Sequence, residues 1–191
     1  MKKALLPLVA IAMLIAACVP SVNPFFFEKD VVTDAHLLGT WQEGDKKDHP
    51  ETWLFEDATS NSYTATYTEE QGKTGKFEAH LFKLGETTFL DLTPSECNYA
   101  TNQADLIGIS MIPGHLLLRV KLSEEKLTVA TIDPEWLQKF LTNNPNSIAH
   151  RIDHDEIILT AETGALQKFI LKHLAKGELF GDGGDYIRPP K

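Results

Sequence analysis

The chain has 191 residues, of which 42% are hydrophobic and 24% charged, with a formal net charge of −9. That length suits one domain with a sizeable core. The acidic balance has no basic cluster to offset it, so it repels nucleic-acid phosphates and anionic headgroups and argues against a nucleic-acid partner. Two cysteines, Cys18 and Cys97, rule out a disulfide-dense scaffold.

Residues 1–17 read MKKALLPLVAIAMLIAA. Lys2 and Lys3 precede an apolar run, Ala4 to Leu14, that is shorter than the roughly 20 residues a membrane span needs. Its flanks are those of a secretory signal peptide. Ile15, Ala16 and Ala17 before Cys18 resemble the lipobox of bacterial lipoproteins. That resemblance implies a diacylglycerol on the Cys18 thiol, cleavage just before it, and an acylated new amino terminus. Each buried methylene of such chains contributes about 0.8 kcal/mol, enough together to hold a protein on a membrane without a spanning helix. Loss of Lys2 and Lys3 takes the formal charge from −9 to −11. Val19, rather than Asp, follows the cysteine. In that family this implies the outer membrane, facing the periplasm, where a cell has two membranes. Cys97 is then a lone thiol. Its neighbours Ser95, Glu96, Asn98 and Tyr99 offer nothing to activate it, and a buried inert thiol is a simpler reading than an intermolecular disulfide.

Residues 18–34 carry Pro20 and Pro24 and read as a lipidated tether. Phe25, Phe26 and Phe27 either dock on the domain or lie at the lipid surface, and docking is the simpler reading. A single β-rich domain is expected over 35–180. Alternation of period two dominates it. Trp53 and Phe55 share one face; so do Tyr63, Ala65 and Tyr67; Phe77, Ala79 and Leu81 alternate with Glu78, His80 and Phe82. In TTFLDLTP, Phe89 and Asp91 face one way and Leu90 and Leu92 the other. HLLLRVKLS, KLTVATID and IAHRIDHDEIILTA continue the pattern. Short turns (EEQGKTG, LGET, SEEK, DHDE) predict hairpins, hence an antiparallel meander or barrel.

The connection between Pro94 and Pro113 is long and apolar for a turn, and such connections serve as lids or hold an extra helical turn. Two helices are expected. DPEWLQKFLTNNP has Asp133 as N-cap, Pro134 in the first helical position, and a stripe of Trp136, Leu137, Phe140 and Leu141. TGALQKFILKHLAKG begins near Thr163, carries Leu166, Phe169, Ile170, His173 and Leu174 on one face, and ends at Gly177. The Gly- and Pro-rich 181–191 stretch reads as a flexible tail.

LLGTWQ, Leu37 to Gln42, resembles the Gly-x-Trp signature on the first strand of lipocalins, here Gly39-Thr40-Trp41. The resemblance implies a mainly β fold: an antiparallel lipocalin-like barrel, or a flattened one, with two packed α-helices. It implies that Trp41 closes the bottom of the barrel. The family's arginine that packs across this Trp has two candidates, Arg119 and Arg151. A second motif of the Thr-Asp-x-x-x-Tyr kind is absent, and the Trp136 helix lies outside the usual strand order.

Candidate ligand-binding residues are Trp41, Trp53, Tyr63 and Phe77, read either as barrel core or as cavity lining, together with Asp91 and Arg119. The last two are charges within apolar strands, so they either pair across the barrel, anchoring a ligand's polar end, or face outward. Glu78 and His80 share a face and form a formal acid/base pair, but alternation explains them as solvent-facing. His150 and His154 are two imidazoles on one strand face without a third ligand, so no metal is assigned. Ser110 and Ser123 lack a nucleophile elbow, and GDGGD lacks the helix and Lys of a phosphate loop. No cofactor and no catalytic constellation is assigned. The expectation is an envelope lipoprotein, lipid-anchored at Cys18, whose barrel takes a small apolar ligand or, filled by its own side chains, contacts an envelope protein.

Overall fold

The computed structural model describes residues 18–44, 46, 48–58, 61–95, 114–154 and 156–189. Residues 1–17, Cys97, Ser110 and the body of the 94–113 connection lie outside the described residues.

A short strand, β1 (Pro20–Ser21), precedes β2 (Gly39–Glu43), β3 (Thr52–Asp57), β4 (Tyr63–Thr68), β5 (Thr74–Leu84), β6 (Thr87–Pro94), β7 (His115–Leu122) and β8 (Lys126–Thr131). Helix α1 (Pro134–Asn143), a hairpin of β9 (His150–Asp153) and β10 (Glu156–Leu159), helix α2 (Thr163–Leu174) and strand β11 (Gly184–Ile187) follow. Strands β2 to β8 pair antiparallel with their sequence neighbours, and β11 pairs antiparallel with both β8 and β2. The result is a closed eight-stranded antiparallel up-and-down barrel with two helices, the barrel expected from the alternation and consistent with the lipocalin-like layout that the Gly39-Thr40-Trp41 resemblance implies. The helices and the β9–β10 hairpin are inserted between the seventh and eighth barrel strands.

The eighth strand corrects the expected tail: Gly184–Ile187 within it form β11, and the domain runs on through that strand. A local composition of Gly and Pro conceals a strand whose partners are distant in sequence. Gly183 shows why glycine stands there. Its φ is +82°, and a Cβ would meet the Val129 carbonyl oxygen at 2.5 Å, so no other residue lets the chain approach β8 this closely.

The seam between β11 and β2 has only two registered pairs, Tyr186↔Glu43 and Ile187↔Gln42. Arg188 reinforces it. Its guanidinium lies 3.7 Å from the Trp41 ring centroid and donates to the carbonyls of Leu38 (2.8 Å), His36 (2.6 Å) and, more weakly, Thr40 (3.4 Å). Trp41 itself is fully buried, and its Nε1 donates to the Leu37 carbonyl at 2.8 Å. The arginine across Trp41 is therefore Arg188, not Arg119 or Arg151. Arg151 is exposed on the β9–β10 hairpin near Asp153.

Two cores result. The barrel interior holds Trp41, Phe55, Tyr63, Ala65, Ala79, Leu81, Leu90, Leu118 and Leu127. An outer core covers the other face of the β5–β8 wall with Phe82, Phe89, Leu117, Ala130, Leu137, Leu141, Leu166, Phe169 and Ile170. This two-sided burial explains why FLDL and HLLLRVKL carry apolar residues on both faces. Asp133 caps α1 as expected, accepting from Trp136 N at 3.0 Å, and Gly177 takes a positive φ after α2.

The stretch expected to be a tether is packed into this outer layer. β1 pairs with β7 and β10, and Phe25 is 0% exposed. Thr163 Oγ1 donates to the Pro24 carbonyl (2.7 Å), Gln167 Nε2 to the Phe25 carbonyl (3.0 Å), and Asn23 Nδ2 to the Ala161 carbonyl (3.1 Å). Phe26 stacks on His80, 4.6 Å between centroids, so His80 lies beneath an aromatic lid rather than in solvent. Burial of each such Phe contributes about 1.5–3 kcal/mol.

Alanine in place of Arg188 should lower the unfolding free energy by about 2–3 kcal/mol, since a charged donor fork and a ring contact are lost together. Arg188→Lys should recover only part of it, as read from urea denaturation midpoints. A second outcome concerns His173, which is 2% exposed among Phe169, Phe140 and Trp136, with neither ring nitrogen hydrogen-bonded. Burial holds its pKa below the ordinary value, Lys172 and Lys176 act in the same direction, and Glu178 opposes them. The unfolded chain therefore takes up this proton first as pH falls below about 6.5, and stability declines until the lower folded pKa is reached. His173→Phe should remove that part of the acid slope, measured as denaturation midpoints from about pH 7.5 to about pH 5.

Candidate functional site

The two ends of the barrel differ. At the Trp41 end, the turn Ala35–Leu37 and Arg188 close the interior. Tyr63 belongs to this end: its hydroxyl accepts from Asp34 N at 2.7 Å and lies 3.2 Å from the Asp34 carbonyl. At the other end, where β3, β5 and β7 begin, side chains leave an apolar cavity of about 180 Å³. Trp53, Tyr67 and Phe77 line one side, and Leu92, Leu116, Leu118 and Val129 the other. Trp53 packs against Tyr67 (4.6 Å) and stacks on Phe55 (5.7 Å), which belongs to the filled interior.

The rim is polar and acidic. Glu51, Asp182, Thr131 and Tyr186 stand there, and the Tyr186 hydroxyl donates to Glu51 Oε2 at 3.3 Å. Burial first, and the Glu51 carboxylate second, hold the phenols of Tyr67 and Tyr186 well above the usual range, so both stay neutral donors. The Trp53 indole lies close enough to Tyr186 to act on its phenol, yet the buried Trp53 Nε1–H completes no hydrogen bond. Trp53 is only 7% exposed. Cys18 also lines this rim, with its thiol pKa raised by burial.

Of the six expected ligand residues, Trp53 and Phe77 line the cavity. Trp41 and Tyr63 lie in the closed end. Asp91 and Arg119 do not meet across the barrel; both project from its outer face. Asp91 is 0% exposed, accepts from Phe25 N at 2.8 Å, and contacts His115 Nδ1 at 2.7 Å, where Thr93 Oγ1 also approaches (3.1 Å). Arg119 lies over the Phe180 ring and reaches the Gly181 carbonyl at 3.5 Å. The Asp91 carboxylate thus clamps the N-terminal segment to the outer wall.

Tyr67 was legible from its alternation with Tyr63. Tyr186, Glu51 and the rim position of Cys18 had no local signal, because each depends on how distant strands meet. His80 and Glu78 stand 3.8 Å apart outside the barrel, Ser123 closes the β7–β8 hairpin, and His154 is exposed at the tip of the β9–β10 hairpin. Among the described residues, no group of three His, Cys, Asp or Glu could hold a metal ion. Asp185 of GDGGD is paired with Lys126 (2.8 Å) and Thr128 (2.7 Å).

The class defined by fold and site is an up-and-down eight-stranded barrel, closed by an Arg–Trp stack at one end and hollow at the other. Compared with protein-family models, with curated proteins and with solved structures, the chain matches none.

Asp91→Ala should cost about 1–3 kcal/mol, since it leaves the buried Phe25 N–H without its acceptor and takes a partner from the half-buried His115 imidazole. Faster exchange of the Phe25 amide, with the amides of β3 and β4 unchanged, is the expected local sign.

Proposed function

We propose that the protein is a lipid-anchored protein of the bacterial cell envelope whose barrel binds a single apolar chain. In this reading residues 1–17 are removed, Cys18 carries the lipid, and in a cell with two membranes the barrel faces the periplasm from the outer one. The observation that supports binding is the apolar cavity behind Trp53, with neutral phenols and one free indole N–H among its polar groups. Its acidic rim favours a neutral head over a carboxylate.

A second reading, a filled barrel that serves as an interaction scaffold for an envelope protein, is favoured by size. About 180 Å³ is below the roughly 300–1,000 Å³ of pockets for drug-sized ligands.

The two separate in a melting experiment on the chain from residue 18 with Cys18→Ser, which carries no lipid. Dodecanol at ten times its Kd should stabilise a binder by about 1.4 kcal/mol, about 3–6 °C in Tm for a domain of this size. Dodecanoate should do less, and Leu118→Trp should abolish the shift. No shift with either probe sinks the binding reading. Intact mass of the membrane-extracted protein tests the anchor: residue 18 should be N-terminal and acylated, and Cys18→Ser should leave the membrane fraction.

A further inference from the structure

We propose that the apolar cavity at the open end of the barrel is filled in cis by an acyl chain carried on Cys18, so that the anchor is shared between bilayer and barrel. This rests on the reading of Cys18 as the acylated residue and of the cavity as a site for hydrocarbon.

Position is the first support. Cys18 is itself part of the cavity rim. Val19 is 5% exposed, and Pro20 pairs with Leu116, a cavity residue. No slack separates the acylated residue from the mouth. The same packing, secured by Asp91 on Phe25, holds the mouth toward whatever surface the lipid enters.

Chemistry is the second. The walls offer Trp53, Phe77, Leu92 and Leu118 to a hydrocarbon. The buried Trp53 Nε1–H lies near the Tyr186 phenol but completes no hydrogen bond, which leaves it as a donor for the carbonyl of an ester or amide. Glu51 and Asp182 disfavour the carboxylate of a free fatty acid, whereas a chain joined to Cys18 through ester or amide bonds has no charge there.

Size is the third. A cavity of about 180 Å³ compares with the roughly 150 Å³ that holds a benzene, so it admits a short length of chain rather than a whole lipid. A free ligand of that size binds weakly, because it loses translational freedom. A chain already attached at the rim meets the site at an effective concentration of about millimolar or more.

The test uses the full chain made in a bacterial host fed a palmitate analogue with a terminal diazirine. The protein is purified and placed in unlabelled phosphatidylethanolamine/phosphatidylglycerol vesicles. After irradiation, peptides carrying Trp53, Phe77 or Leu118 should be cross-linked to the residue-18 peptide of the same molecule. Leu118→Trp should cut that yield by roughly tenfold or more, since overfilling a packed site costs 1–3 kcal/mol. Phe77→Ala, which enlarges the cavity, should keep it. Three results overturn the proposal, and they differ in what else falls. If residue 18 bears no acyl mass, the anchor reading falls with it. If residue 18 is acylated and cross-links only to phospholipid, while an added diazirine dodecanol labels the cavity peptides, the cis occupant is wrong and the binding reading stands. If neither label reaches the cavity peptides, the binding reading falls too.

Discussion

The structure depends on closing a barrel whose last strand arrives after a long excursion. Between β8 and β11 the chain builds two helices and a hairpin, and then it must find β2. Two residue pairs of backbone register are a thin seam for that task. Arg188 supplies what the ladder lacks. Its guanidinium covers the buried Trp41 ring and at the same time satisfies carbonyls in the turn before β2. A lysine presents a point charge and has no planar fork to do both. Gly39 is matched to this contact: it takes a φ of +98°, and the position of a Cβ there lies 3.0 Å from Arg188 Nη1.

Closure at one end places the hollow at the other. Large side chains such as Trp41, Phe55, Leu81 and Leu90 fill the interior near the Arg–Trp stack. Towards the opposite mouth Trp53, Tyr67 and Phe77 stand around a space they do not fill. The outer wall matters equally. Because β6 and β7 are buried on both faces, the N-terminal segment and α2 have an apolar surface to settle on. Asp91 turns that surface into a defined dock, since a fully buried carboxylate is tolerable only with donors such as Phe25 N–H and His115 around it. Cys18 reaches the mouth by that route.

Much of this was legible. Trp53, Phe55, Tyr63, Ala65, Phe77, Ala79 and Leu81 alternate because a barrel strand shows one face to the interior and one to the outside. Asp133-Pro134 and the Leu166–Phe169–Ile170–His173 stripe marked helix starts and faces for equally local reasons. Other features had no local signal. A strand written Gly-Asp-Tyr-Ile, next to glycines and prolines, has the composition of a tail. Pro20, Pro24 and three phenylalanines have the composition of a linker. Asp91 and Arg119, two opposite charges in neighbouring strands, invited a pairing that the outer layer replaces with other partners.

The sequence by itself determined strands β2 to β10, the two helices, the faces they present and the Gly39–Trp41 start of the barrel. These follow from side-chain periodicity and capping, which act over a few residues. Tertiary structure alone decided the rest: which arginine covers Trp41, that residues 184–187 complete the barrel, that Asp91 holds the N-terminal segment, and that Cys18 stands at the cavity mouth. These join groups far apart in sequence, 66 residues for Asp91 and Phe25 and 150 for Arg188 and Leu38, and such contacts are selected by the closure and burial of the whole chain, not by any property of its short stretches.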